Sequence, residues 1–348
     1  MPSYCSFLVF RPDEIDLVLS ICSGEGLNVS AIPDPSTKYR FTATGTAEIS
    51  QASALERDFA GELGRLLILE EDENTTDNFI QLVCASNVVL EGFPDRGTPA
   101  TCGFQLDGDL DERETLFENV FRSDGFFQRF IWRESLPSAV ALAAHAWGEK
   151  KLIYAIHKLA QSYETESVTP HSMRPRYGQA FEKHTDEFAS HVGSSIAINL
   201  AYSAIEELGL TVQASPKEPR FLPNTPNDWN PKVLEPFLKR LSKSNIEQDA
   251  TIDWITRGAA TELQAFAGIG EASEFSDGGK IRDSKVSLPY AIQFCEYLRN
   301  KLTAHSFKEG TSRLGPYEVY NCQNVARFLL LNQCEMFNVW TKDLISRF

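Results

Sequence analysis

Arg299, Asn300 and His305 are the residues whose types and spacing point most directly to a chemistry. An imidazole with an ordinary pKa of about 6.5 is available as a base at neutral pH. A guanidinium offers a planar fork of donors matched to phosphate oxygens. The amide of Asn300, directly after the arginine, can orient either a phosphate or the imidazole by hydrogen bonding. An arginine, a polar neighbour and a histidine six positions on therefore suit proton transfer at a phosphate ester.

The string Leu298-Arg299-Asn300-Lys301-Leu302-Thr303-Ala304-His305-Ser306-Phe307 resembles the Arg-polar-x-x-x-x-His signature of the HEPN superfamily, helical domains many of which are metal-independent RNases. The resemblance implies an endoribonuclease with RNA as substrate, built as a homodimer whose cleft combines two facing motifs. It also implies a toxin-antitoxin, abortive-infection or antiphage setting, with a neutralising antitoxin or a trigger as a further partner. In such a site His305 takes the proton from a ribose 2'-hydroxyl as that oxygen attacks the adjacent phosphorus. A second histidine from the other subunit protonates the leaving 5' oxygen. Arg299 binds the phosphate and stabilises the added charge of the transition state, and Asn300 orients the phosphate or the histidine. This route uses no cofactor and no metal, leaves 2',3'-cyclic phosphate and 5'-hydroxyl ends, and excludes DNA, which lacks the 2'-hydroxyl. The alternative is a non-catalytic HEPN-like module that dimerises or binds nucleotides; intact Arg299 and His305 argue against it.

The residues must be positioned by a helix. Ala291, Cys295, Leu298 and Leu302 follow the i, i+4, i+7, i+11 spacing of a buried stripe, with Pro289 tolerated in the first turn. At about 100° per residue, Arg299 lies on the edge of that stripe, and His305 would stand roughly 120° away from it around the axis. The two cannot converge by sharing a face. Either His305 sits at or beyond the helix end, or two copies assemble the site. Lys301 is a further candidate for substrate contact, and Lys280, Arg282 and Lys285 give a preceding polar loop, 268–287, a local positive bias that could guide an RNA strand.

Other motifs carry less. Asp107, Asp109, Asp111 and Glu118 occupy positions 1, 3, 5 and 12 of a calcium loop, but Glu112 stands where the sharp turn requires glycine, so the segment reads as an acidic surface turn. The histidines at 145, 157, 171, 184 and 191 show no metal-ligand pattern. Seven cysteines, odd in number and never spaced as C-x-x-C, argue against a disulfide framework or a zinc site. Cys295, Cys322 and Cys334 fall in helical apolar patterns, where a thiol acts as a small hydrophobe. A reducing cytoplasm is the expected location. No apolar run is long enough to span a membrane, and no leader is expected at the N-terminus.

The expected fold class is α+β, an N-terminal β-rich module over 1–135 followed by an all-α helical bundle, HEPN-like, over 136–348. Apolar runs at 4–10, 39–49, 66–69 and 79–90 are expected as strands, separated by turn signals such as Ser23-Gly24-Glu25-Gly26. Helices are expected over 139–163, 186–208 (ending at Gly209), 231–242, 250–266, 289–304 and 319–345. The segment 214–231, with prolines at 216, 219, 223, 226 and 231, is expected as a non-helical connection.

The chain carries a formal charge of -15, unfavourable for a protein that grips phosphates. The charge is unevenly placed. Residues 1–135 hold 10 basic and 24 acidic residues, whereas 230–348 hold 15 and 14. The motif thus lies in a neutral region, which fits an enzyme that reads local structure on a tight substrate better than a nonspecific binder of long RNA. A sensing or targeting role is the expectation for the acidic N-terminal part.

Overall fold

Alternating apolar residues at the start of the chain form a strand, and that strand becomes the middle of a sheet. The structure, a computed structural model, describes residues 3–9, 15–27, 29–31, 66–71, 73–92, 101–106, 136–166, 188–257, 281–303 and 316–335. The chain forms two compact units, one of residues 1–90 with 95–149 and one of residues 91–94 with 150–348. This division falls some way beyond the compositional boundary at 135/136.

The first unit contains β1 (Ser3–Val9), α1 (Ile15–Gly24), β2 (Val29–Ala31), β3 (Leu66–Glu71), α2 (Glu73–Glu91), β4 (Thr101–Leu106) and α3 (Leu136–Ala146). Its sheet has the order β2-β3-β1-β4. Every neighbouring pair is antiparallel, with Phe7 opposite Ile68 on one side and Cys102 on the other. Among the described residues, the element sequence βαββαβ with this strand order matches the split-βαβ arrangement of ferredoxin-like topology.

The strands expected at 4–10 and 66–69 are present as β1 and β3. The expected strand at 79–90 is instead the body of α2, so a β-rich module is not shown. The reason is spacing: Phe79, Leu82, Val83, Val89 and Leu90 are buried at helical intervals, and their β-branched content concealed it. The expected strand at 39–49 lies outside the described residues.

One expected helix over 139–163 is in fact two, α3 and α4 (Lys150–Thr165), separated by Trp147-Gly148-Glu149. Gly148 costs helix propensity at that point, and the backbone closes tight turns from Trp147 and Glu149 back to Ala144 and Ala146.

The second unit is mostly helical. It holds α4, α5 (Phe188–Glu207), a small hairpin β5 (Phe221–Leu222) and β6 (Thr225–Trp229), α6 (Pro231–Lys243), β7 (Thr251–Arg257), β8 (Ile281–Ser287), α7 (Leu288–Tyr297), a π-helical segment (Leu298–Thr303) and α8 (Pro316–Gln333). α4 and α5 run antiparallel. Lys158 pairs with Glu207 at 2.6 Å, Ser162 donates to the Ala197 carbonyl at 2.7 Å, and Ser194 donates to Glu166. Gln323 of α8 ties into the same seam, donating to Ser162 at 3.0 Å and to the Glu166 carbonyl at 2.7 Å. α5 stops where expected, at Gly209, whose φ of +70° favours a residue without a Cβ. The 214–231 connection is non-helical, and Asn230 caps α6 through the Lys232 amide.

A helix over 250–266 was expected, but residues 251–257 form β7, paired with residues 281–287 in a region expected as loop. Ile252 and Trp254 are buried while Thr251 and Asp253 are exposed, a period of two that decides for strand. Asn321 of α8 completes the strand's hydrogen bonding. Its side chain accepts from the Ile255 amide at 2.9 Å and donates to the Ile255 carbonyl at 2.8 Å, standing in for a neighbouring strand. Replacing Asn321 with alanine leaves two buried backbone groups without a partner, and a thermal melt is expected to show a loss of about 1–3 kcal/mol. An unchanged melting temperature would show that water takes Asn321's place.

Candidate functional site

The motif helix forms largely as its spacing predicts. Ala291, Cys295 and Leu298 are fully buried, and Phe294 beside them packs on Trp254 of β7 with ring centroids 5.5 Å apart. Cys295 meets Cys322 of α8 in the same apolar layer, where burial pushes the Cys322 thiol far up, out of thiolate chemistry. The α-helix ends at Tyr297, however, and not at 304. Residues 298–303 continue as a π-helix, whose wider i→i+5 turn changes the angular advance per residue. The roughly 120° separation reckoned for a continuous α-helix therefore does not apply past Leu298.

Side chains of α5 hold this wide turn. The Thr303 hydroxyl lies 2.8 Å from Asn199 Oδ1 and 3.2 Å from the Arg299 carbonyl oxygen, while Asn199 Nδ2 donates to the Thr303 carbonyl at 3.4 Å. Polar side-chain bonds thus support the backbone where the regular ladder changes.

Arg299 and Asn300 sit together at the centre of a charged chain. Arg299 Nη1 donates to Asn300 Oδ1 at 2.7 Å, and Asn300 Nδ2 donates to Glu296 Oε1 at 3.2 Å. Glu296 in turn is paired with Arg220, at the start of the β5–β6 hairpin. On the other side Arg299 Nη2 stands 4.0 Å from Glu206, and its guanidinium lies over the Tyr202 ring at 5.9 Å, both residues of α5. The order Arg220, Glu296, Asn300, Arg299, Glu206 alternates in charge around one neutral amide. Asn300 is thereby a positioning group for the arginine. Arg299 keeps 38% of its side chain exposed, so a fork with five donors is oriented yet open to an anion.

Glu296 carries the main electrostatic tension. Its pKa is raised because burial penalises the carboxylate more than Arg220 relieves it, with Glu206 adding repulsion and Arg299 attraction. One oxygen, Oε2, is buried with no hydrogen-bond partner among the described residues, which explains why burial wins. Tyr202 opposite is driven in the same direction, by burial first and then by Glu296 and Glu206. A raised carboxyl pKa means the folded chain keeps a proton that the unfolded chain releases near the ordinary value of 4.5. Glu296 therefore favours folding most below that pH, and its contribution falls as pH rises through the raised value. Urea titrations of Glu296→Gln against wild type are expected to show a flatter stability profile between pH 4.5 and neutrality; parallel profiles would assign the charge elsewhere.

The other residues singled out by sequence are placed less tightly. Lys285 lies on β8 and pairs with Asp253 at 3.5 Å, with both side chains mostly exposed. Arg282 also lies on β8, opposite Thr256, so these two belong to a strand and not to the expected loop. Lys301 is part of the π-helical segment. His305, Lys280 and the calcium-like segment 107–118 lie outside the described residues. Among the described residues no group of three or more His, Cys, Asp or Glu could hold a metal ion, and no helix is long and apolar enough to cross a membrane.

Sequence reasoning missed Glu296, Arg220, Glu206, Tyr202 and Asn199. Glu296 had a local signal, four residues before Asn300 and hence one turn below it on the helix. The others come from distant segments brought in by packing. No protein-family model, no curated protein and no solved structure matches this chain.

Proposed function

We propose that this chain is a metal-independent endoribonuclease, HEPN-like in its second unit, that cuts RNA by 2'-hydroxyl attack. The observation that carries the proposal is Arg299: held by Asn300, Glu206 and Tyr202 on a π-helical turn, with more than a third of its side chain exposed. π-turns inside helices occur frequently at functional sites. A cation fixed in this way can stabilise charge that develops on a phosphate without reorganising. His305 follows two residues after the π-helical segment and supplies the base.

The homodimer belongs to the same proposal. α5 exposes Val192 and Ile196, one turn apart, and Asn199 and Glu206 follow on that face at helical spacing. An exposed apolar pair leading to the motif is where a second copy would dock and bring its own histidine to the cleft. A toxin or antiphage role, with an antitoxin or trigger, follows from the resemblance alone.

The test is to incubate the purified chain with total RNA in excess EDTA, beside a substrate carrying a single 2'-deoxyribose at a mapped cut. Cleavage is expected to survive EDTA and to stop at the deoxy position. Dependence on added metal, or cutting at the deoxy position, would sink the proposal.

A further inference from the structure

We infer that the groove between the proline-rich connection and α7 is a nucleobase site, best suited to adenine, which seats one base of the RNA beside Arg299. The inference rests on the nuclease reading for the strand's direction toward Arg299, but the site itself stands on its own features. The groove, about 500 Å³, is lined by Ala214, Ser215, Pro219, Arg220, Gln293 and Tyr297 among others. That volume is in the range of roughly 300–1,000 Å³ typical of small-molecule sites.

Three observations identify the occupant. Gln293 is 97% buried on a 3% exposure, yet its Oε1 has no hydrogen-bond partner among the described residues. A buried carbonyl left in this state is costly unless a ligand or water completes it. Arg220 Nε, on the same wall, is likewise buried without a hydrogen-bond partner among the described residues, as is Oε2 of Glu296, the residue that Arg220 pairs with behind it. The surroundings are aromatic: Phe221 stacks on Tyr290 at 6.3 Å and meets Trp229 at 4.9 Å, and Tyr297 stands one turn beyond Gln293. Flat faces with one unpaired carboxamide are how proteins hold an unstacked base, by ring stacking and edge hydrogen bonds. A glutamine carboxamide matches adenine in particular, accepting from N6 and donating to N7.

Position then links this groove to the charged chain. Tyr290, Gln293 and Tyr297 follow at intervals of three and four, so they form one stripe along α7 that stops just before the π-helical turn. The link runs from Arg220 in the groove wall to Glu296, from Glu296 to Asn300 and from Asn300 to Arg299. Arg220 joins both parts, since it lines the groove and pairs with Glu296.

The experiment is calorimetric titration of the full chain with the four nucleoside 5'-monophosphates and with adenosine. AMP is expected to bind more tightly than CMP or UMP. Gln293→Leu is expected to weaken AMP by roughly tenfold and to level the bases. Ala214→Trp, which fills the groove from an exposed position, should abolish binding with the melting temperature unchanged. Arg299→Ala should weaken AMP while leaving adenosine unaffected. Failure of the wild type to bind any of the four at millimolar concentration, or undiminished AMP binding by Gln293→Leu or Ala214→Trp, would overturn the site. If AMP binds as described but RNA is never cut, the base site stands and the nuclease reading falls; if RNA is cut and AMP does not bind, the base site alone falls.

Discussion

Replacing His305 with alanine is expected to lower RNA cleavage by about 10²–10⁴-fold, the usual contribution of a positioned general base or acid. In a composite cleft the two copies lose base and acid together, so the upper end of that range is the expectation. Arg299→Ala is expected to fall equally far, because Asn300, Glu206 and Tyr202 spend their contacts on orienting this one side chain. Arg299→Lys should recover little of it. A lysine carries the charge but lacks the planar fork that bonds Asn300 and a phosphate together. Single-turnover cleavage of a defined RNA, with melting curves to show intact folding, checks all three. Activity within a few-fold of wild type in either alanine variant would remove that residue from the chemistry.

The largest stability effect is expected at Phe294. Its side chain is fully buried on the motif helix and packs against Trp254. Truncation to alanine removes that ring contact and opens a cavity where α7, α8 and β7 meet, at a cost of about 3–5 kcal/mol. Because the same helix carries Arg299 and Asn300, cleavage should fall with folding and recover on cooling. Chemical denaturation read by tryptophan fluorescence would measure it. A loss below about 1 kcal/mol, the cost of a tolerated core swap, would show that the core can collapse around the gap.

Much of the second unit was legible because its signals are local. Helical spacing located α5 and α6 almost to the residue, Gly209 marked the stop of α5, and the prolines of 214–231 excluded a helix. The stripe Ala291, Cys295 and Leu298 placed the motif helix. What failed was the choice between periods in short apolar runs. Residues 79–90 have β-branched residues but helical burial, and 251–257 have the reverse relation to the alanine-rich stretch that follows. The seven residues of 251–257 hold only about two helical turns, too few to separate the two periods, and in 79–90 the β-branched content outweighed a helical spacing that was there to read.

The site divided along the same line. Arg299 and Asn300 were visible as neighbours in sequence, and the structure joins them directly. Arg220 reaches Glu296 across 76 positions, and Asn199 reaches Thr303 across 104. Such pairings leave no periodic trace. The π-helical turn was hidden too, since part of its support comes from Asn199 of α5, far off in sequence.

The most direct test of metal-independent transesterification is the chemistry of the cut ends. Wild-type protein should be incubated with a short defined RNA in EDTA, and the fragments weighed by mass spectrometry. A 2',3'-cyclic phosphate on one fragment and a 5'-hydroxyl on the other are predicted, with neither fragment formed by His305→Ala. A 3'-hydroxyl with a 5'-phosphate, or equal cutting by the His305 variant, would contradict it.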